Sequence, residues 1–77
     1  MEIFIYKLNE KVFEGMADSI TMPGIDGEIT ILKNHIPLIS RLKKGQIKLK
    51  SDNHQESFEI EGGTIQISNN KLIGLVK

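Results

Sequence analysis

The sequence has 77 residues, enough for one domain, and so short a chain buries only about 60% of its unfolded surface, which makes its core marginal. No cysteine is present, which excludes disulfides and thiolate metal sites, and ten basic and ten acidic residues balance, which argues against a nucleic-acid-binding surface. No apolar run reaches the roughly 18 residues of a membrane helix and no signal peptide is recognisable, so we expect membrane association only through a partner.

The first predicted strand, EIFIY (residues 2–6), has apolar or aromatic side chains on both faces. The same holds for KLIGLV (residues 71–76) near the other end of the chain. Phe4 and Tyr6 share one face of the first strand, and Ile73 and Leu75 share one face of the second. In a two-layer sandwich one face of each strand points outward, and apolar side chains there need a cover. Neighbouring loops or a partner protein could supply it.

The stretch PGIDGEITIL (residues 23–32) is predicted to form a turn followed by a strand. Pro23 and Gly24 fit a type II turn, in which proline presets φ and glycine takes a positive φ. Gly27 then leads the chain into an alternating strand whose isoleucines point inward.

The next segment, KNHIPL (residues 33–38), contains one of the two histidines of the chain. Pro37 lacks an N–H donor and pushes the preceding residue toward extended geometry, so neither a helix nor a central strand is predicted. Rigid loops beside a short strand would present Glu28 and His35, and exposed polar groups on such loops are typical of a docking surface.

No part of the chain has the pattern of a catalytic, metal or cofactor site. The nucleophile motif G-x-S-x-G does not occur, and neither His35 nor His54 has neighbours at metal-ligand spacing. The stretch GIDGE lacks the Gly-Lys-Ser/Thr end of a phosphate-binding loop. We therefore predict no catalytic residue, no metal and no cofactor.

Beyond residue 45, apolar and polar residues alternate between closely spaced turn signals, which is typical of an all-β sandwich or barrel. One predicted hairpin turns at the polar DNHQ, and a regular ladder would place Leu49 opposite Phe58 and Lys48 opposite Glu59. A second hairpin is predicted to turn at Asn69-Asn70, because asparagine tolerates the positive φ of a type I′ turn.

Two spaced motifs, P-G-x-x-G-E at residues 23–28 and H-x-P-L at residues 35–38, resemble the epsilon-subunit family of F-type ATP synthases, called delta in mitochondria. Phe13-x-Gly15, Leu42-x-x-Gly45 and Gly62-Gly63 fit the same family pattern. The resemblance implies an all-β fold, a flattened antiparallel β-sandwich of about ten short strands. We take it to form one domain, residues 1–77.

The resemblance also implies a function: a non-catalytic central-stalk subunit of a proton-translocating F-type ATP synthase, coupling the gamma subunit to the membrane c ring during rotary synthesis. It assigns Glu28, Lys33, Asn34 and His35 to the surface that faces the c ring, and outward apolar residues to gamma. The expected location is peripheral, on the cytoplasmic face of the cell membrane, or on the matrix or stroma side in an organelle.

Family members usually continue into a C-terminal pair of helices that can inhibit ATP hydrolysis and, in some bacteria, bind ATP. The 77 residues contain no counterpart of these helices, so neither property is expected of them. The alternative is a free-standing β-sandwich module that binds a peptide or a carbohydrate. Such a module needs an aromatic-lined groove, which three Phe, one Tyr and no Trp disfavour.

Overall fold

The computed structural model describes residues 1–32 and 37–77. In these two ranges the chain forms nine strands and no helix, and so no helix that could cross a membrane. The strands are β1 (Glu2–Lys7), β2 (Glu10–Met16), β3 (Ser19–Gly24), β4 (Gly27–Leu32), β5 (Leu38–Leu42), β6 (Gly45–Ser51), β7 (His54–Ile60), β8 (Gly63–Ser68) and β9 (Lys71–Val76).

The nine strands form one hydrogen-bonded sheet that curls over to enclose a core. One part, the five-stranded layer, follows the order β2-β1-β9-β8-β5, and the other, the four-stranded layer, contains β4, β3, β6 and β7. The layers join at β3, which pairs with β6 along Ser19, Ile20 and Thr21 and with β5 only at Gly24 and Leu42. The predicted all-β sandwich is confirmed. One of its strand pairs, β1 with β9, is parallel rather than antiparallel.

The core is formed by the inward-facing side chains of strands in both layers. Its largest fully buried side chains are Ile3, Ile5, Ile20, Met22, Ile31, Ile47, Ile60, Ile65, Ile67 and Leu72. No polar or charged side chain of the described residues is buried. Phe58 pairs with the buried Ile47, is half-buried and packs against this core.

The β6–β7 hairpin differs in register from the prediction. Its turn has two residues rather than four, because Ser51 pairs directly with His54. Ile47, not Leu49, therefore lies opposite Phe58, and Lys48 lies opposite Ser57. A shift of two residues leaves every side chain on its predicted face, since side chains alternate with a period of two.

The β3–β4 hairpin also turns later than predicted. Gly24 is the last residue of β3, has no positive φ and pairs with Gly27, so the predicted type II turn at Pro23 and Gly24 is wrong. A Cβ at Gly24 would lie 2.5 Å from the Gly27 carbonyl oxygen, which explains the glycine by close packing instead. Gly27 itself has φ +133°, a conformation that favours glycine. The Asn69-Asn70 turn is confirmed, with φ of 50° and 60°.

Candidate docking surfaces

The outward side of the five-stranded layer carries a group of exposed apolar side chains. Phe4 pairs with Ile73, and Tyr6 pairs with Leu75. Gln66 lies between Ile73 and Ile39 in the same row. We call Phe4, Tyr6, Ile39, Ile73 and Leu75 the apolar face. Ile39 is 75% exposed and Leu75 is 59% exposed, while Phe4 and Tyr6 are half-buried.

The apolar face extends across four strands, with polar Gln66 of β8 between Ile73 and Ile39. Neighbouring strands lie about 4.8 Å apart, so the row from β1 through β9 and β8 to β5 spans about 14 Å. Exposed apolar surface of this kind marks an interaction site in soluble proteins. The sequence places Phe4 with Tyr6, and Ile73 with Leu75, on shared strand faces, and the structure shows that these faces point outward. Ile39 was not foreseen. The alternation of Leu38, Ser40 and Leu42 with Ile39 in β5 is the signal that could have identified it.

The outward side of the four-stranded layer is polar by comparison. The hydroxyls of Thr21 and Thr30 lie 3.1 Å apart across β3 and β4. Lys48 and Ser57 continue the same row in β6 and β7. Leu32, 61% exposed, and Ile25, 50% exposed in the β3–β4 turn, are the exposed large aliphatic residues of this layer among the described residues. The outer side of the four-stranded layer is therefore the more polar of the two.

Charged side chains on the β1–β2 side of the apolar face have partners within the chain. The Lys71 ammonium lies 5.5 Å from the centroid of the Phe4 ring. The Glu14 carboxylate lies 3.8 Å from the Lys11 ammonium. It also accepts a 3.4 Å hydrogen bond from the Tyr6 hydroxyl. These contacts are exposed, so each contributes little to stability, but they leave the charges on this side of the face locally balanced.

Of the four residues that the sequence assigns to a c-ring-facing surface, the structure describes Glu28. The other three, Lys33, Asn34 and His35, lie outside the described residues. Glu28 is exposed, belongs to β4 and lies opposite Pro23, next to the turn formed by Ile25 and Asp26. It therefore stands on a strand rather than on the loop that the sequence predicted.

Strand β4 is an edge strand. Among the described strands it pairs with β3 alone, so its other edge is open. Glu28 stands near its beginning and Leu32 at its end, about 13 Å apart for an extended chain. Such an edge exposes backbone donors and acceptors to a partner. Polar side chains at this edge can contact a partner without competing with the apolar face on the other layer.

The described residues contain no group of three or more His, Cys, Asp or Glu side chains that could hold a metal ion. His54 lies in the β6–β7 hairpin with its Nε2 3.3 Å from a Glu56 carboxylate oxygen, and both side chains are well exposed. An isolated exposed pair of this kind provides neither a general base in a cleft nor a ligand cage.

Comparison with known proteins places the whole sequence in one family. The family model described as "ATP synthase, Delta/Epsilon chain, beta-sandwich domain" matches residues 1–77. The chain is 44% identical over 66 residues to the ATP synthase epsilon chain of Chlorobium limicola, covering 84% of this chain and 75% of that relative. It is 38% identical over 73 residues to the epsilon chain of Dichelobacter nodosus, covering 94% of this chain and 51% of that relative.

Solved structures share the fold at low sequence identity. A chain in the cryo-EM structure of the Euglena gracilis mitochondrial ATP synthase, described as OSCP/F1/c-ring in rotational state 1, has a TM-score of 0.89 and 16% identity. The match covers 96% of this chain and 48% of that one. A chain in the Tetrahymena thermophila mitochondrial ATP synthase, described as central stalk/c-ring, has a TM-score of 0.80 and 18% identity, and the match covers 97% of this chain and 61% of that one.

Proposed function

This chain belongs to the delta/epsilon β-sandwich family of ATP synthase subunits, and we propose that it is a non-catalytic subunit of the central stalk of a proton-translocating F-type enzyme. In that role it couples the gamma subunit to the membrane c ring during rotary ATP synthesis. As a subunit of this enzyme it is a peripheral part of a membrane-associated complex. We place it on the cytoplasmic face of the cell membrane, or on the matrix or stroma side in an organelle.

The observation that carries the proposal is the apolar face. Covering an exposed aliphatic side chain contributes about 1.5–3 kcal/mol relative to leaving it in water. Ile39, Leu75 and Ile73 are 75%, 59% and 41% exposed, so a partner that covers them gains hydrophobic stabilisation that the free chain lacks. We assign this surface to gamma.

The second surface of the proposal is the open edge at β4. We assign Glu28, together with Lys33, Asn34 and His35, to contacts with the c ring. The edge belongs to the four-stranded layer, whereas the apolar face belongs to the five-stranded layer. Because the surfaces lie on different layers, gamma and the ring can be held at the same time, and the packed sandwich between them resists deformation.

The peptide- or carbohydrate-binding alternative gains no support from the apolar face. Aromatic side chains provide most of the contact area in such grooves. Here the two aromatic residues of the face, Phe4 and Tyr6, are half-buried in the layer. The exposed area comes from aliphatic side chains instead, which suits a protein surface.

The test is binding of the cognate gamma subunit to two matched variants. Leu75→Asp places a charge in the apolar face, and Leu32→Asp makes the same change at a leucine of similar exposure on the other layer, 61% against 59%. We expect Leu75→Asp to weaken gamma binding by about tenfold or more, because a desolvated carboxylate replaces an apolar contact. Leu32→Asp should bind gamma like the wild type. Equal binding by both variants would contradict the assignment.

A further inference from the structure

Arg41 is a charged side chain at the edge of the apolar face without a partner inside the described part of the chain. It lies in β5, two residues from Ile39 and therefore on the same outward side. Its neighbours across the layer are Thr64 and then Leu75. None of the described hydrogen bonds or ion pairs involves its guanidinium, unlike the side chains of Lys11 and Lys71 on the opposite side of the face.

Glu61 lines the same pocket as Arg41, and Asp26 lies in the neighbouring β3–β4 hairpin, but no described ion pair joins either carboxylate to the Arg41 guanidinium. Glu61 lies 4.0 Å from the Lys44 ammonium instead. Asp26 follows Ile25, whose N–H donates a 3.0 Å hydrogen bond to the Arg41 carbonyl oxygen, yet no ion pair joins Asp26 to Arg41. The guanidinium is thus left to water in the free chain.

The backbone of Arg41 is fixed on both sides. One edge of β5 pairs with Thr64 of β8, and on the other edge its carbonyl oxygen accepts the Ile25 N–H. A side chain on such a constrained backbone loses less conformational freedom on binding than one on a mobile loop. Arginine is also the charged residue enriched in the centres of protein interfaces, since its guanidinium is weakly hydrated and pairs with a carboxylate through two parallel hydrogen bonds.

We propose that the partner that covers the apolar face presents a carboxylate to Arg41, and that this pair fixes the orientation in which the partner docks. The inference rests on the proposed docking of gamma on this face. A partner that covers Ile39 and Leu75 also removes water from the guanidinium at the edge of the same face. Thr64 supplies one neutral hydroxyl there, which cannot compensate a desolvated charge. A carboxylate of the partner restores both the charge and the hydrogen bonds.

The experiment measures gamma binding by the folded chain as a function of NaCl concentration for the wild type, Arg41→Met and Arg41→Lys. Methionine keeps an apolar stem and removes the charge, so we expect binding about 10- to 30-fold weaker than wild type at low salt. Its dependence on salt should largely disappear, because the screened interaction has been removed. Lysine should be intermediate, since an ammonium group cannot pair through two parallel hydrogen bonds. Lys48→Met, on the polar outer side of the other layer, is the matched control and should bind like the wild type.

Three outcomes would overturn the inference. If Arg41→Met binds with wild-type affinity while Leu75→Asp binds poorly, the carboxylate is refuted and the docking face stands. If Arg41→Met binds weakly but keeps the salt dependence of the wild type, the guanidinium donates hydrogen bonds to a neutral group and no carboxylate faces it. If Arg41→Met and Leu75→Asp both bind normally, the assignment of gamma to this face fails as well. Thermal unfolding of each variant should match the wild type, since both residues are exposed.

Discussion

Three glycine-to-alanine substitutions separate two physical reasons for glycine in this fold. Gly27 has φ +133°, and a Cβ there would meet nothing within 4 Å, so its cost is purely conformational. Gly24 has no positive φ, but a Cβ there would lie 2.5 Å from a backbone oxygen and 2.5 Å from Ile29 Cδ1. Gly74 has neither problem, because the nearest atoms, on Ile5 and Ile65, lie at 3.6 Å. The added methyl group therefore meets backbone strain at Gly27, a steric clash at Gly24, and neither at Gly74.

The expected changes in the free energy of unfolding follow from these environments. Gly27→Ala should cost about 1–3 kcal/mol, the usual cost of a non-glycine residue in a sparsely populated backbone region. Gly24→Ala should cost more, because a backbone oxygen has to move and the hairpin with it. Gly74→Ala should be neutral or stabilising by up to about 1 kcal/mol, since alanine restricts the unfolded chain and fills ordinary contact distance.

Equilibrium urea unfolding of the four proteins measures these differences, with the slope of each transition checked for constancy. A core of this size supplies only about 3–5 kcal/mol, so Gly24→Ala is expected to be largely unfolded at room temperature. The reasoning is refuted if Gly74→Ala loses as much stability as Gly27→Ala. It is also refuted if Gly27→Ala unfolds at the wild-type midpoint.

Two further predictions concern the core margin and the edge of β4. Phe58→Ala should lower the free energy of unfolding by about 1.5–2.5 kcal/mol because Phe58 is half-buried, whereas Ile60→Ala, in the fully buried core, should cost about 2–5 kcal/mol. If Phe58→Ala loses more unfolding free energy than Ile60→Ala, Phe58 is more deeply buried than the structure indicates. Glu28→Ala combined with His35→Ala should change stability by no more than about 0.5 kcal/mol and weaken reconstitution with c rings. Early thermal unfolding with normal ring assembly would show that these side chains serve the fold instead.

The sequence predicted which face of each strand points inward better than it predicted which residues pair. Alternation places Ile47 and Ile60 in the core whatever the register. A slip of two residues in β6–β7 preserves that alternation, so the apolar pattern cannot distinguish Leu49 from Ile47 as the partner of Phe58. The turn could not decide either, because all four residues of DNHQ suit a polar turn.

Pairings between strands that are far apart in sequence could not be predicted from local sequence patterns. The parallel contact of β1 with β9 joins Ile3 to Leu72, and nothing in either segment specifies a partner so distant in sequence. Gly24 shows the same limit, because Pro-Gly is typical of a type II turn when read alone. In the structure, Gly24 is instead explained by the Gly27 carbonyl oxygen and the Ile29 side chain, which leave no room for a Cβ at this position. Among the site residues, the shared faces of Phe4 with Tyr6 and of Ile73 with Leu75 could be predicted from the same period-two alternation as the core.

Backbone hydrogen bonds join the two layers that carry the proposed surfaces. The Arg41 carbonyl oxygen accepts the N–H of Ile25, and the Pro23 carbonyl oxygen accepts the N–H of Lys43 at 2.9 Å. Glu28 follows Ile25 by three residues within the same hairpin. Under the proposed function, the strand that carries the gamma contact is therefore hydrogen-bonded to the hairpin that carries a ring contact. Hydrogen-bonded strands are more rigid than a long loop. Under the proposed function, a displacement of one partner is therefore transmitted from β5 directly to the β3–β4 hairpin. Gly24, with its close packing, and Gly27, with its positive φ, belong to the same hairpin.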